Sequence, residues 1–326
     1  MSVNAEREEV TLTAIVVNYN TRDLLHRCIS DLRSSARAAG ASLQLVVVDN
    51  ASRDGSADLL MRDFADCEIV FNDTNVGFGR ANNQALPLVR GRYLLLLNTD
   101  AFVAPDSIGT TVRYLDEHPR CGLLGVRLIG RDGSLQPSCR YFPTPWNEFL
   151  ARTGLAGYLP AVRMVDDMTW DHGSARECDW VPGCYYLVRK SVINQVGLFD
   201  PRFFLYYEEV DHCRAVKAAG WQVMFFAGTT VVHIGGESAR ADAELTRAGS
   251  QIDALQIESG LLYHRKHYGK SGVAALMMLT TAGDALLALK ALLKRRAGRE
   301  MKAHWAHTLT TWRLLRRTGG GLLPTR

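Results

Sequence analysis

Residues 93–100 read Tyr93-Leu-Leu-Leu-Leu-Asn-Thr-Asp100, an unbroken apolar run that ends in three polar residues. Similar runs lie earlier in the chain, at 12–17, 43–48 and 68–71, and helix-like segments separate them near 21–39, 54–65 and 78–90. Apolar strands that alternate with amphipathic helices are typical of a parallel sheet covered on both faces. The first hundred residues are therefore predicted to form one βαβαβαβ half of an α/β domain.

The pattern becomes looser after Cys121. Helical signals return at 190–196 and 208–219, and a strand-like run follows at 221–226. Composition does not change sharply before about residue 240. We therefore predict one domain over 1–240, with halves 1–100 and 101–240, followed by a basic, amphipathic, helical region over 241–326.

Composition excludes several classes of protein. The chain has 326 residues, of which 47% are hydrophobic and 22% charged, so disordered, collagen-like and disulfide-rich small proteins do not fit. Its seven cysteines are scattered and never spaced Cys-x-x-Cys, which favours reduced thiols over a zinc site. The first ten residues lack the basic-then-apolar pattern of a signal peptide, and a cytoplasmic location is expected.

Charge is distributed unevenly along the chain. Residues 261–326 hold 13 Lys+Arg against 2 Asp+Glu, a net +11, while the rest carries −7 of the overall +4. The segment 272–293 is long enough to span a bilayer, but Asp284 and Lys290 interrupt it. One helical face carries Leu286, Leu289 and Leu293, and nearby cations are Lys290, Lys294, Arg295, Arg296 and Arg299. This pattern predicts a helix lying on the anionic inner face of the plasma membrane.

Two alternatives for this tail stay open. The same helix could pack on its own domain or on a second copy of the chain, and Trp305 and Trp312 fit either case. A nucleic-acid partner is not expected, because no recognition motif accompanies the charges.

Polar residues close each of the four apolar runs. Ligands of α/β sheets collect at the carboxyl ends of parallel strands, so these residues are candidates for a binding site, although any one of them alone could be a turn or a helix cap. Asp49 could contact a ribose or a base. Asp100, an oxygen ligand at a strand end, suits Mg²⁺ or Mn²⁺ shared with a substrate diphosphate.

Three further stretches carry candidate chemistry. The loop 75–80, Asn-Val-Gly-Phe-Gly-Arg, could cradle a phosphate or a sugar at a helix start. Acids follow the aromatic run 203–207, and aromatic walls raise a carboxyl pKa toward that of a general base. Helical spacing puts Glu208 and Asp211 on one face and turns Glu209 away. His233 ends a later apolar run, where a lone histidine is more often structural than a ligand.

Taken in order, these stretches resemble family 2 glycosyltransferases of the GT-A fold, and within them the rhamnosyltransferase-like branch. The matching segments are Ala14-Ile-Val-Val-Asn-Tyr-Asn20, Val47-Val-Asp-Asn-Ala-Ser52, Asn75-Val-Gly-Phe-Gly-Arg-Ala-Asn-Asn-Gln84, Leu95-Leu-Leu-Asn-Thr-Asp100, Val196-Gly-Leu-Phe-Asp200, Tyr207-Glu-Glu-Val-Asp211 and Val232-His-Ile-Gly-Gly-Glu-Ser238. Each motif is modest by itself, but seven in this order over residues 12–240 are specific.

The resemblance implies a role for each candidate residue. The nucleobase and ribose side would be Val17, Asn18, Tyr19 and Asp49; the donor's phosphates and sugar would face Asn75, Gly77, Arg80 and Asn83; and the acceptor would border Trp180 and Gly183. Asn98-Thr-Asp100 stands at the family's Asp-x-Asp motif, so Asp100 and His233 would hold the metal, with one carboxylate fewer because of Asn98. The family's Glu-Asp catalytic pair aligns with Glu208-Glu209, which makes Glu209 the first choice for the base, and Glu208 or Asp211 could substitute.

The activity implied is inverting and metal-dependent. The resemblance favours transfer of L-rhamnose from dTDP-L-rhamnose to a glycan or a lipid-diphosphate-linked saccharide in cell-envelope polysaccharide synthesis, with Mg²⁺ or Mn²⁺ as cofactor. Alternatives are another UDP- or dTDP-sugar donor, or a silent nucleotide-sugar-binding protein. A homo-oligomer stays open.

Overall fold

The computed structural model describes residues 10–235, 249–293 and 297–326. Its strands are β1 Leu12–Asn18, β2 Leu43–Asp49, β3 Glu68–Phe71, β4 Tyr93–Asn98, β5 Ala101–Val103, β6 Cys121–Ile129, β7 Leu135–Gln136, β8 Arg176–Glu177, β9 Tyr185–Arg189 and β10 Gln222–His233. Its helices are α1 Arg22–Ala38, α2 Ser56–Asp63, α3 Phe78–Ala85, α4 Ser107–Glu117, α5 Pro145–Thr153, α6 Lys190–Val196, α7 Glu208–Ala218, α8 Gly249–Leu293 and α9 Ala297–Arg317.

The predicted α/β half is present. Strands β3, β2, β1 and β4 lie side by side and parallel, with Leu12 opposite Leu43 on one side and Tyr93 on the other. Helices cover both faces of this sheet, so the strand interiors are buried on both sides and their sequences need no polar alternation. All four strands run the same way, and their polar ends therefore meet at one edge.

The second half extends the sheet mainly with antiparallel pairs, although β6 and β10 pair in parallel. Strand β9 inserts beside β4 with Tyr93 opposite Arg189, and the order continues through β6 and β10 to β5. The resemblance to the GT-A fold implies a mostly parallel sheet flanked by helices, and the structure has a mixed sheet whose first four strands are parallel. Strand β9 is not among the predicted elements, although Pro182-Gly183 is a turn signal and the run Tyr-Tyr-Leu-Val at 185–188 favours a strand.

The C-terminal helices pack on the α/β domain. Helix α8 is interrupted at Gly269, where φ is 67°, and beyond it contacts α5 and α9. Asp284, buried on α8, is bound by Arg152 of α5 and by His307 of α9, whose Nδ1 donates to the carboxylate at 2.8 Å. Lys290 is turned toward α5 as well, where its Nζ donates to the Thr153 carbonyl at 2.9 Å.

Several sequence predictions fall outside the described residues. These are the motif residues Gly236, Glu237 and Ser238, the cations Lys294, Arg295 and Arg296, and the domain boundary near residue 240. The boundary therefore stays a prediction.

Gly125 lies on β6 where the backbone packs closely against the side chain of Val181. A Cβ at this position on β6 would lie 2.5 Å from the Cβ of the buried Val181, well inside contact distance. We expect Gly125→Ala to lower the free energy of unfolding by about 1–3 kcal/mol in urea titrations. Gly157→Ala, where no atom lies within 4 Å, is the control and should change little. Equal effects of the two substitutions would contradict this packing.

Candidate active site

A cavity of about 270 Å³ opens where the carboxyl ends of the strands meet. It is lined by residues from both halves and from α8: Val17, Tyr19, Asn50, Asn75, Gly77, Phe78, Asn98, Thr99, Asp100, Pro182, Gly183, Cys184, Phe204, Leu205, Tyr206, Glu208, Glu209, His233 and Leu255. Ten of the predicted site residues are thus brought together around one space: Val17, Tyr19, Asn75, Gly77, Asn98, Asp100, Gly183, Glu208, Glu209 and His233.

Asp100 and His233 lie next to each other in the wall of this cavity. Strand β10 pairs antiparallel with β5, which puts His233 opposite Ala101 and next to Asp100. The His233 Nε2 lies 3.6 Å from the Asp100 Oδ1, and both side chains are largely buried. The other Asp100 oxygen accepts from the Gly235 N–H at 3.1 Å. One carboxylate oxygen is therefore held by the backbone while the other faces the imidazole.

Gln136 sets the orientation of that imidazole. Its Nε2 donates to the His233 carbonyl at 2.8 Å, which turns its Oε1 toward the His233 Nδ1 at 2.9 Å. An amide oxygen can only accept, so Nδ1 carries the proton and Nε2 presents its lone pair to the space beside Asp100. A neutral imidazole in this tautomer is suited to ligate a metal ion.

The donor set fits a divalent ion that shares its coordination with a substrate. Among the residues described, no group of three or more His, Cys, Asp or Glu side chains converges on one point. Asp100 and His233 would supply two ligands, and the buried Oδ1 of neighbouring Asn98 has no hydrogen-bond partner in the structure. Mg²⁺ and Mn²⁺ commonly take one or two protein ligands and complete their shell with phosphate and water. This edge of the cavity has that character.

Two adjacent glutamates stand at the start of α7. Burial, followed by the nearby charge of Glu209, holds the pKa of Glu208 well above its usual range. Burial also raises the pKa of Glu209, but the charge of Arg140 acts in the opposite direction on that group. One oxygen of each carboxyl is buried without a hydrogen-bond partner in the structure. The pair is thus poised to hold and release protons at the cavity wall.

The helical spacing predicted a different arrangement of these acids. Glu208 and Glu209 both line the cavity, whereas Asp211 is bound by Lys266 Nζ at 2.7 Å and His267 Nε2 at 2.6 Å, both on α8. Glu208 is the first residue of α7, so the turn before it, and not the helical repeat, decides what it faces. Asp211 joins α7 to α8 outside the cavity lining.

The turn before α7 forms the aromatic wall of the cavity. Tyr206 and Tyr207 are consecutive non-glycine residues with φ near 70° and 68°, a left-handed conformation that costs free energy in both. Contacts hold this turn from two sides: the Phe204 carbonyl accepts from the Phe78 N–H at 2.9 Å, and the Leu205 carbonyl accepts from the Ser259 hydroxyl of α8 at 2.8 Å.

Gly77 is required for this contact. A Cβ there would lie 2.4 Å from the Phe204 carbonyl oxygen, and its φ of +88° disfavours any other residue. The resemblance implies that Gly77 faces the donor. The structure places Gly77 in the cavity lining and against Phe204 of residues 204–207, which we call the aromatic turn.

Of the four residues predicted to face the nucleobase and ribose, two line the cavity and two form a buried hydrogen bond outside its lining. Val17 and Tyr19 line the cavity. Asn18 and Asp49 are buried and bind each other, with the Asn18 Nδ2 donating to the Asp49 Oδ1 at 2.8 Å. The other Asp49 oxygen accepts from the Ser52 N–H at 3.1 Å. Asp49 therefore holds the two loops of this edge in register.

Three other predicted residues lie outside the cavity lining and make protein contacts. Arg80 donates to the carbonyls of Pro201 at 2.7 Å and Arg326 at 3.2 Å. The Asn83 amide pairs with both backbone groups of Phe199. Trp180 is buried beneath the Arg140 guanidinium, and its Nε1 donates to the Tyr141 carbonyl at 2.9 Å. Arg80 and Asn83 fasten α3 to the segment that leads into the aromatic turn.

Some lining residues were not proposed from the sequence as site residues. Phe204, Leu205 and Tyr206 belong to the aromatic run 203–207, which predicts a wall beside the acids but does not indicate that these residues line a cavity. Pro182 and Cys184 flank Gly183, so the predicted acceptor position already marked their loop. Leu255 of α8 had no signal, because a leucine on a helical face does not indicate which surface it will contact.

Comparison with known proteins finds a glycosyltransferase family model and similar proteins named as rhamnosyltransferases. The family model described as "Glycosyl transferase family 2" matches residues 13–167. The chain is 27% identical over 240 residues to the N-acetylglucosaminyl-diphospho-decaprenol L-rhamnosyltransferase of Mycobacterium tuberculosis, covering 68% of this chain and 75% of that protein. It is 27% identical over 169 residues to rhamnosyltransferase WbbL of Escherichia coli, covering 48% and 60%.

Solved structures support the fold. The mannosyltransferase PcManGT from Pyrobaculum calidifontis, in complex with GDP-Man and Mn²⁺, superposes with a TM-score of 0.55 at 17% identity, over 95% of this chain and 86% of that one. TarS 1–349 of S. aureus superposes with a TM-score of 0.50 at 12% identity, over 95% and 92%. Residues 13–167 therefore carry a glycosyltransferase family 2 domain, the chain has the GT-A fold, and its sequence is similar to rhamnosyltransferases.

Proposed function

We propose that this enzyme transfers L-rhamnose from dTDP-L-rhamnose, with inversion, to a saccharide carried on a lipid diphosphate. The observation that carries the mechanism is that one cavity is lined by both groups, the Asp100–His233 pair and the Glu208–Glu209 pair. The choice of sugar and acceptor is supported by relatives named as rhamnosyltransferases, one of them acting on N-acetylglucosaminyl-diphospho-decaprenol.

We assign the leaving-group side to Asp100 and His233. A Mg²⁺ or Mn²⁺ ion bound there would offset the negative charge that develops on the departing nucleoside diphosphate. The named Mn²⁺ complex of a protein with the same fold supports divalent-metal use. Asp100 and His233 would contribute by fixing two ligand positions in advance, one through the Gly235 N–H and the other through Gln136.

We assign the general base to Glu209. Glu208 is the more deeply buried of the two acids and has the more strongly raised pKa, so of the two it holds its proton to the higher pH. Glu209 is half-buried and feels the positive charge of Arg140, so it ionises first and accepts the proton of the acceptor hydroxyl. Its carboxylate attacks no carbon itself, since a single displacement by the acceptor oxygen suffices and inverts the configuration.

We also propose that the enzyme lies on the membrane through one face of α8 and α9. Helix α8 from Asp253 to Leu293 is long and apolar enough to cross a bilayer by length and composition alone. However, its Asp284 and Lys290 are bound to α5, which holds one side of the helix against the domain. Every exposed residue of α8 from 274 to 293 is apolar: Ala274, Met278, Ala282, Ala285, Leu289, Leu292 and Leu293.

Helix α9 continues this surface and adds charge. Trp305, Leu309 and Trp312 are exposed at a spacing that puts them on one helical face. The exposed cations Lys302, Arg313, Arg316 and Arg317 border them. Apolar and aromatic side chains flanked by Lys and Arg are typical of helices that lie in the interface of anionic lipid. We call Trp305, Leu309 and Trp312 the α9 apolar face.

Donor choice and the base are tested together. Purified enzyme is given a panel of dTDP- and UDP-sugars with Mg²⁺ or Mn²⁺ and a lipid-diphosphate saccharide, and released nucleotide and product are quantified. We expect turnover with dTDP-L-rhamnose and a loss of about 10²–10⁴-fold in kcat for Glu209→Gln with donor binding retained, because one proton-transfer group is removed. Glu117→Gln, on the exposed end of α4, is the matched control.

Two results would contradict these assignments. Turnover only with another sugar nucleotide would refute the donor, and full activity of Glu209→Gln would refute the base.

The raised pKa of Glu208 predicts a pH-dependent stability. Between the ordinary glutamate pKa of about 4.3 and its higher value in the folded chain, the folded protein holds a proton that the unfolded chain has released, so this group makes stability fall as pH rises. Glu208→Gln removes that penalty. We expect its Tm to exceed that of the wild type by more at pH 8 than at pH 4.5, as measured by calorimetry.

An identical Tm difference at both pH values would show that folding does not raise the pKa of Glu208. Glu117→Gln serves as the control here too, with no change expected between the two pH values.

The membrane face is tested by flotation with vesicles that contain phosphatidylglycerol. Replacing the three residues of the α9 apolar face with serine should reduce the bound fraction at least about tenfold, because three large apolar side chains leave the lipid interface. The control replaces three exposed apolar residues of other surfaces, Met61, Phe71 and Met168, with serine. Wild-type-like flotation of the α9 variant, or no flotation of the wild type, would contradict the proposal.

A further inference from the structure

Tyr207 is the one residue of the aromatic turn that does not line the catalytic cavity. Its side chain instead borders a second cavity, of about 680 Å³, which lies between α5, α8 and α9. Tyr207 has a φ of 68° and directly precedes Glu208, the first residue of α7. Contacts that fix its side chain therefore also fix the backbone that leads into Glu208 and Glu209.

A hydrogen bond joins Tyr207 to α5, and an aromatic contact joins it to α8. The Tyr207 hydroxyl donates to the Glu148 Oε1 at 2.6 Å, a length typical of a hydroxyl that donates to a carboxylate. Burial, and then the charge of Glu148, hold the pKa of Tyr207 well above its usual range, so the phenol keeps its proton and can donate it. Its ring centroid lies 5.3 Å from that of Tyr263, and a Cβ at Gly260 would lie 3.4 Å from its hydroxyl oxygen. The side chain is therefore held between two helices.

His264 of α8 faces the second oxygen of the Glu148 carboxyl. The His264 Nδ1 donates to the Gly260 carbonyl at 2.8 Å, and since a carbonyl can only accept, Nδ1 carries a proton. The buried Nε2 lies 3.4 Å from the Glu148 Oε2 and has no hydrogen-bond partner among the described residues. An imidazole lone pair would repel a carboxylate at this distance, so a proton must lie between Nε2 and Oε2. We call Tyr207, Glu148 and His264 the tyrosine network.

The tyrosine network adds a third support to the aromatic turn. Helices α3 and α8 hold the turn by its backbone, at the carbonyls of Phe204 and Leu205. The network holds it by its last side chain, from α5 as well as from α8. Helix α5 is itself fixed to α8, because the Arg152 Nε donates to the buried Asp284 carboxylate at 2.8 Å. Glu148 therefore offers the turn a fixed acceptor.

From this geometry we infer that Glu148 and Tyr207 are positioning residues for the transfer reaction, which hold the aromatic turn so that the Glu209 carboxylate stays within reach of the acceptor hydroxyl. The inference rests on the proposed function, since it explains the orientation of the base in that reaction. Neither residue lines the catalytic cavity, so neither is expected to bind donor or acceptor. A reacting group displaced by about 1 Å can cost about 10²-fold in rate, which is the scale on which a loosened turn would act.

The test measures kcat, donor KM and acceptor KM well below the unfolding temperature, with the donor and acceptor that the wild type uses. Tyr207→Phe removes only the hydroxyl, and Glu148→Ala removes both contacts of the carboxyl. We expect each to lower kcat about 10–100-fold, with both KM values within about twofold of wild type. Tyr158→Phe is the matched control, since its side chain is 81% exposed, and should leave all three quantities unchanged.

A conservative variant and a double variant separate positioning from misfolding. Glu148→Gln keeps an oxygen that accepts from Tyr207 and turns an amide N–H toward the His264 Nε2, so its kcat should lie within about threefold of wild type. The double variant Tyr207→Phe/Glu148→Ala should be no slower than Glu148→Ala, because both substitutions remove the same hydrogen bond.

The outcomes distinguish this inference from the function on which it rests. Transfer by the wild type, with kcat of Tyr207→Phe and Glu148→Ala within about twofold of it, would overturn the inference alone. A Glu148→Gln variant as slow as Glu148→Ala would do the same. No transfer by the wild type from any donor of the panel would overturn the proposed function, and the inference with it.

Discussion

Strand β10 pairs antiparallel with the short strand β5, and this pairing makes His233 a neighbour of Asp100 although 132 residues lie between them in the chain. The Ile234 N–H donates to the Asp100 carbonyl at 3.0 Å, directly beyond the last residue of β10. The orientation of the imidazole follows from that register. Gln136 on β7 is placed to orient the imidazole because β7 pairs with β6, which in turn pairs with β10. A shift of one residue in β10 would turn His233 to the opposite face of the sheet.

The part of the cavity wall that carries the two glutamates depends on the aromatic turn before α7. Its two left-handed tyrosines are unfavourable locally, and they persist because contacts from α3 and α8 over-determine the conformation. The same turn carries Glu208 and Glu209 into the cavity and separates that cavity from the space between the helices. Helix α8 therefore contributes to the candidate active site, because Leu255 lines the cavity and Ser259 binds the aromatic turn. The same helix forms part of the surface that we assign to lipid. Asp211 secures this arrangement by binding Lys266 and His267.

Much of this fold could be predicted from the sequence, because the four apolar runs of the first half are continuous and their polar ends must meet at one edge. The positions of Asp100, Asn98 and Tyr19 follow from that rule alone. His233 could be connected with Asp100 only through the resemblance, since no local pattern reveals an antiparallel pairing between strands so distant in sequence. The spacing of Glu208 and Asp211 did not predict their observed arrangement, for a related reason. Spacing shows which residues share a helical face, but not which part of the protein that face contacts. Arg80, Asn83 and Trp180 likewise carry hydrogen-bonding groups whose partners are backbone atoms of remote segments, which sequence cannot specify.

The most direct measurement is anomalous diffraction from crystals grown with Mn²⁺ and dTDP. We expect one strong manganese peak within coordination distance of both the Asp100 carboxylate and the His233 Nε2, with the diphosphate completing the coordination shell of the ion. A peak bound by neither side chain, or His233 turned away while the nucleotide occupies the cavity, would contradict this expectation.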